Sequence, residues 1–168
     1  MKPLYRLTFS ALLVAIGVIA GNLLYIPIGV AKIFPVQHII NVLSAVLFGP
    51  VYAVGTAFAI SLLRNLLGTG SVFAFPGSMI GACLAGLFYL WLKKPVFAAI
   101  GEVIGTGLIG SLVSFPIARF ILGQNVAATF FVAPFLLATT FGSLIAYILL
   151  KIMAVHPEFT RYMRGDGK

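Results

Sequence analysis

Apolar positions in this chain come in long continuous runs, and polar positions gather in short breaks between them. A β-barrel would instead need alternating segments of about ten residues, so the pattern is helical. The first run is LTFSALLVAIGVIAGNLLYI, residues 7–26. At ~1.5 Å per residue its length matches a ~30 Å hydrocarbon core. It is too long for a signal-peptide core and lacks a clear cleavage site followed by polar sequence. A loop with two prolines covers 27–38, and a short second helix over 37–48 ends at Gly49-Pro50. The third helix, 51–67, carries Arg64-Asn65 near its end. The fourth, 77–92, ends in Trp91 and Lys93-Lys94-Pro95, an aromatic and basic stop suited to a membrane interface. The fifth, 96–122, contains GEVIGTGLIG. A small polar loop spans 123–129, the sixth helix runs over 130–153, and a polar, basic tail occupies 154–168. No internal repeat is evident.

Composition turns this pattern into a class. Hydrophobic residues make up 61% and charged residues 8%, against roughly 25% charged in soluble domains; mean hydropathy is +1.15. A soluble fold of this size has too little interior to hide so much apolar surface. The expectation is one all-α integral membrane domain over 1–168, with six transmembrane helices. The net charge of +8 does not indicate nucleic acid, because the basic residues lie at the ends of apolar runs. With the N-terminus inside, Lys2, Arg6, Lys93, Lys94, Lys151, Arg161, Arg164 and Lys168 fall inside, and Lys32, Arg64 and Arg119 outside. That asymmetry predicts N-in, C-in, and it places the loops around 27–38, 68–76 and 123–129 on one outer face. Cys83 is alone and sits in an apolar helix, so it offers neither a disulfide nor a thiolate metal cluster; no metal and no cofactor is expected.

Polar chemistry concentrates in RNLLGTGSVFAFPGSMIGACLAG, residues 64–86. A helix ends in Arg64-Asn65, a glycine-rich turn bearing Phe73 and Phe75 follows, and the next helix opens at Gly77-Ser78. Irregular backbone at membrane depth is tolerated where it is buried in protein or lines a cavity, so this stretch reads as one wall of a small-molecule site. Arg64 either snorkels to the interface or faces the site. Asn65 is too short to snorkel. Asn22, Gln37, His38 and Asn41 lie at a similar level. Phe73 and Phe75 either stack on a flat ring or anchor the turn among headgroups. Of three acids, Glu158 and Asp166 are in the tail and Glu102 is inside an apolar helix. An intramembrane acid marks function by default. Its alternative is pairing with Lys93 or Lys94, from which six or seven residues at 1.5 Å set it about 10 Å deep. The candidate ligand set is Asn22, His38, Asn41, Arg64, Asn65, Phe75, Ser78, Glu102 and Thr106.

Catalysis finds little support. No base stands beside a nucleophile, and there is no carboxylate pair or metal cluster. Gly68-Thr69-Gly70-Ser71 lacks the lysine and the strand-to-helix setting of a phosphate loop. An active transporter built on this chain would draw its energy from another subunit or from an ion gradient.

Ala11-Leu-Leu-Val-Ala15 puts small residues four apart on one face of the first helix, a pattern that lets another helix approach closely. Six helices in a short chain, this motif, and polar residues gathered outward resemble the substrate-binding S components of energy-coupling factor (ECF) transporters. SLLRNLLGTGSVFAFPGSMIGACLAGL and GEVIGTGLIGSLVSFPIA resemble more specifically the ThiW family, S components assigned to the thiazole precursor of thiamin, over nearly the whole chain to about residue 153. The resemblance implies a prokaryotic plasma-membrane, multi-pass subunit that captures hydroxyethylthiazole outside. It implies docking through Ala11 and Ala15 onto the membrane scaffold EcfT, which carries two ATPases, followed by toppling in the bilayer and release of the ligand inside. The remaining alternatives are an S component for hydroxymethylpyrimidine, pantothenate or another vitamin, a proton-coupled carrier using Glu102, and an assembly subunit without a ligand.

Overall fold

A computed structural model describes residues 3–28 and 31–156. The side chains of Asn22 and of residues 26–28, 31 and 32 lie outside that description, as do Lys2 and the tail from 157 onward. Among the described residues six helices form: α1 (Pro3–Leu23), α2 (Pro35–Phe48), α3 (Pro50–Leu66), α4 (Ala74–Leu92), α5 (Pro95–Ile121) and α6 (Val132–Met153). By length and composition α1, α4, α5 and α6 are long and apolar enough to cross a membrane. α2 and α3 have 14 and 17 residues, about 21 and 26 Å at 1.5 Å per residue. The expected all-helical class carries one addition. β1 (Ile26–Ile28) and β2 (Ala31–Ile33) pair antiparallel, with Ile26 opposite Ile33; the pair takes up the start of the expected loop and Ile26, which was expected to end the first helix, while α1 stops at Leu23. α2 also starts earlier than expected, because Pro35 takes its first turn, where a missing N–H costs nothing.

Local chemistry sets the helix ends. Gly49 adopts φ +90°, a conformation glycine takes without a Cβ clash, and Pro50 opens α3 immediately after it. Lys93 closes α4 with a left-handed turn and Pro95 starts α5.

Three of the four glycines of GEVIGTGLIG, Gly101, Gly105 and Gly110, are explained by the α4–α5 crossing, while Gly107 faces Leu136 and Thr139 of α6. A Cβ on Gly105 would lie 2.6 Å from the Cα of Gly81, and one on Gly110 would lie 2.5 Å from the Cα of Gly77. Only glycine lets the two backbones approach this closely. α5 is not uniform: Val103–Gly110 and Ile117–Ile121 are wide π-type turns. Pro116 just precedes the second, where its ring removes a donor. Ser111 and Ser114 donate back to the carbonyls of Gly107 and Gly110 at 2.7 and 2.8 Å.

The tight core occupies one half of the bundle. Val42, Ala45 and Val46 of α2 meet Ala53 and Ala57 of α3, Ala82, Ala85 and Tyr89 of α4, Ala98 of α5, and Ala146 and Leu150 of α6. Alanine dominates because helices in lipid associate by close van der Waals contact rather than by expelling water. Large apolar side chains such as Leu12, Ile19, Phe120, Leu144 and Ile152 point outward, as a lipid-facing surface requires. On α1, Gly17 packs against Ile40 and Ile60, and Gly21 packs against the Arg64 guanidinium. Ala11 and Ala15 occupy a different face and are exposed.

Candidate functional site

The N-terminal ends of α2, α4 and α6 meet at the half of the bundle away from the alanine core, around a cavity of about 230 Å³. Ile33, Phe34, Gln37 and His38 line it from the strand pair and α2, and Arg64 lines it from α3. Ser71, Phe73, Ala74, Gly77 and Ser78 come from the turn and α4, and Thr106 from α5. Phe130, Phe131, Pro134, Phe135 and Ala138 close it from α6 and the segment before it. Five phenylalanines, Phe34, Phe73, Phe130, Phe131 and Phe135, contribute to the wall. Phe73 and Phe131 pack with centroids 4.6 Å apart, and Phe131 and Phe135 at 6.0 Å.

Behind one part of this wall lies Glu102, the one acid among the described residues. Glu102 is fully buried. Its Oε1 accepts from His38 Nδ1, Asn41 Nδ2 and Thr106 Oγ1, each at 2.9 Å. The expected alternative pairing with Lys93 or Lys94 is not what forms; histidine and neutral donors hold the carboxylate instead. Asn41 also reaches Ser78, donating to its carbonyl at 3.2 Å and its hydroxyl at 3.1 Å. The Thr106 hydroxyl lies 3.0 Å from the Gly77 carbonyl as well, so its one proton serves either acceptor. Glu102 Oε2 has no partner among the described residues and lies against Gly81, where a Cβ would stand 2.6 Å from it. With Nδ1 turned to the Glu102 carboxylate, the other ring nitrogen of His38, Nε2, is left for the cavity side. The carboxylate therefore fixes three groups that face the cavity: His38 and Thr106 directly, and Ser78 through Asn41.

A second network surrounds Arg64, which is 3% exposed. It does not snorkel to the interface. Its Nη1 donates to Gln37 Oε1 at 3.2 Å, its Nη2 donates to the Thr69 carbonyl at 3.1 Å, and the guanidinium lies 4.4 Å from the Phe34 ring centroid. Gln37 in turn donates to Ser61 at 2.9 Å. Arg64 Nε is buried with no partner among the described residues.

Of the residues expected to form the site, His38, Arg64, Ser78 and Thr106 line the cavity, and Asn41 and Glu102 support it from behind. Asn65 and Phe75 are placed elsewhere. Asn65 Nδ2 donates to the carbonyls of Ser61 and Ser71 at 2.8 and 3.1 Å, fastening the glycine-rich turn. Phe75 packs on Phe58 at 5.7 Å, since two residues along a helix carry it to a different face from Phe73. The side chain of Asn22 lies outside the described residues. The expected set omitted Phe34, Ser71, Phe131, Pro134 and Phe135, and Gln37 was given no role. Phe131 and Phe135 stand four apart at the start of α6, the spacing of one helix face, and that was the available signal.

Neither the curated proteins nor the solved structures contain a match to this chain. The family described as thiamine-precursor transporter protein (ThiW) matches residues 7–156. That match covers nearly every helix and all of the cavity, and the chain belongs to the ThiW family of thiamine-precursor transporter proteins.

Proposed function

We propose that this chain is the substrate-capture subunit of an ECF-type transporter and that its cavity holds hydroxyethylthiazole. The observation that carries this reading is the aromatic cavity itself, with polar groups set in its wall by buried networks. Ligand sites are mostly apolar with a few oriented polar groups. At about 230 Å³ the cavity is below the ~300–1,000 Å³ range of drug-sized sites, which favours a single-ring precursor over a larger vitamin. Phe73, Phe131 and Phe135 would flank the ring, while His38, Ser78 and Thr106 would meet its heteroatoms and hydroxyl.

Membership in a transporter family, together with four helices fit to span a bilayer, supports a multi-pass subunit of the prokaryotic plasma membrane. In this reading all six helices cross and both termini lie inside. The N-terminal ends of α2, α4 and α6 then face outward, so the cavity is open to capture from outside. Ala11 and Ala15 are exposed on α1 while Gly17 and Gly21 are used within the chain. That leaves the alanine pair for docking onto EcfT and its two ATPases.

Calorimetric titration of the purified chain with hydroxyethylthiazole, hydroxymethylpyrimidine, thiamin and pantothenate tests the reading. Saturable one-to-one binding of the thiazole is expected. Binding of another member alone would move the substrate and keep the architecture. No binding by folded protein would refute capture.

One observation favours a second reading. The pairing of buried Glu102 with a histidine that lines the cavity is suited to a proton-coupled carrier. That mechanism predicts uptake by the chain alone in vesicles, abolished by Glu102→Gln. The capture mechanism predicts uptake only with the ATPase module present.

A further inference from the structure

The cavity holds a cation for which the described residues supply no counter-charge. Arg64 lines the wall, is almost fully buried, and keeps its charge at any working pH. What surrounds it is neutral: an amide oxygen, a backbone carbonyl and an aromatic face. The one acidic side chain among the described residues, Glu102, is engaged by His38 at 2.9 Å. Glu102 stands behind the lining residues, with one oxygen already taken by three donors. Arg64 Nε, buried and without a partner, leaves part of the guanidinium fork unused.

The backbone adds to the same sign. α2, α4 and α6 each bring an N-terminal end to the cavity through Phe34 and Gln37, Phe73 and Ala74, and Phe131 and Pro134. None of the three has an acidic residue in its first turn. Several first-turn N–H groups are bonded to nearby carbonyls, as at Ala74, Gly77 and Val132. The contribution is therefore the positive field of three helix ends rather than a set of open donors.

We propose that, among single-ring precursors, the cavity prefers an acidic derivative over the neutral parent, with an oxyanion arm, carboxylate or phosphate monoester, set against Arg64 and the ring held among the phenylalanines. This deepens the capture reading and rests on it. A neutral precursor would leave the guanidinium without a counter-charge; an acidic arm would complete it with charge-assisted hydrogen bonds.

The test is calorimetric titration of the full chain in neutral detergent with hydroxyethylthiazole, its monophosphate, 4-methylthiazole-5-carboxylate, hydroxymethylpyrimidine and its monophosphate. The expected result is that an acidic form binds at least about tenfold tighter than its neutral parent. The two acidic thiazoles separate carboxylate from phosphate. Arg64→Gln should collapse that preference to about threefold or less, and Arg64→Lys, which keeps a point charge without the fork, should retain part of it. Neutral parents binding as tightly as their acidic forms would overturn the proposal and leave the capture reading standing. A preference that survives Arg64→Gln would equally overturn it. Failure of all five ligands to bind folded protein would overturn both. If Arg64→Gln does not fold, the wild-type ratio and the Arg64→Lys ratio still decide the matter.

Discussion

A methyl group added at Gly81 should dismantle the carboxylate network from behind. The Cβ of Gly81→Ala would stand 2.6 Å from Glu102 Oε2 and 2.9 Å from its Cδ, and would overlap the Thr106 hydroxyl. These are side-chain atoms, but both groups are buried and held by hydrogen bonds, so neither can swing away freely. On the opposite side of the crossing Gly105 presses its backbone against Gly81, which blocks relief by helix separation. Overpacking of this kind costs about 1–3 kcal/mol, and weakening a hydrogen bond to a charged group adds about 1.5–3 kcal/mol. Since the strain relieves itself partly by breaking that bond, a net loss of about 2–3 kcal/mol is expected. For a chain of this size that lowers the thermal midpoint by roughly 4–12 °C. Gly55→Ala is the matched control: it also lies inside a helix, yet nothing stands within 4 Å of its Cβ position. It should be neutral or stabilising by up to about 1 kcal/mol. Scanning fluorimetry of both variants in one detergent, with calorimetric titration of the ligand, reads stability and site together. Gly81→Ala melting with Gly55→Ala and binding at wild-type strength would refute the placement of Glu102 against α4.

Three further outcomes follow from the same geometry. Phe131→Ala should weaken ligand binding at least tenfold, about 1.4 kcal/mol, whereas Phe75→Ala should stay within about threefold by calorimetry, because its ring packs on Phe58 outside the cavity; equal losses would contradict the cavity wall described. Asn41→Leu removes a fully buried donor from Glu102 and Ser78 and should destabilise by about 2–4 kcal/mol, read as a lower melting temperature. Ala15→Trp places bulk on an exposed face of α1; on the capture reading it should leave ligand binding to the isolated chain intact and abolish uptake measured with the proposed ATPase module, and normal uptake would remove that face from the proposed docking.

Much of the helical layout was legible because its signals are local. Gly49-Pro50 and Lys93-Lys94-Pro95 mark ends through backbone chemistry that neighbours cannot override, and the structure breaks at both. The strand pair at 26–28 and 31–33 was missed because its pairing joins residues that composition assigns to the end of the first helix and a proline-containing loop. Polar site residues were easier to see than apolar ones. His38, Arg64 and Glu102 stand out in an aliphatic chain. Phe34, Phe131 and Phe135 do not, since a lipid-facing ring and a cavity-facing ring read alike until their partners are known. Asn65 shows the converse difficulty: a polar residue beside Arg64 reads like a ligand group, while its amide bonds the carbonyls of Ser61 and Ser71.

The division of the bundle into an alanine-packed half and an aromatic half has an evolutionary consequence. The larger buried cluster that joins α2 to α6 lies at one end, among Ala45, Ala57, Ala85, Ala98 and Ala146. The rings that shape the cavity stand at the other, on helix starts and the turns before them. Exchanging a phenylalanine there alters the mould for a small molecule while the scaffold beneath it keeps its assembly. On this plan, substitutions among the rings near the mouth would change cargo while leaving the alanine cluster untouched.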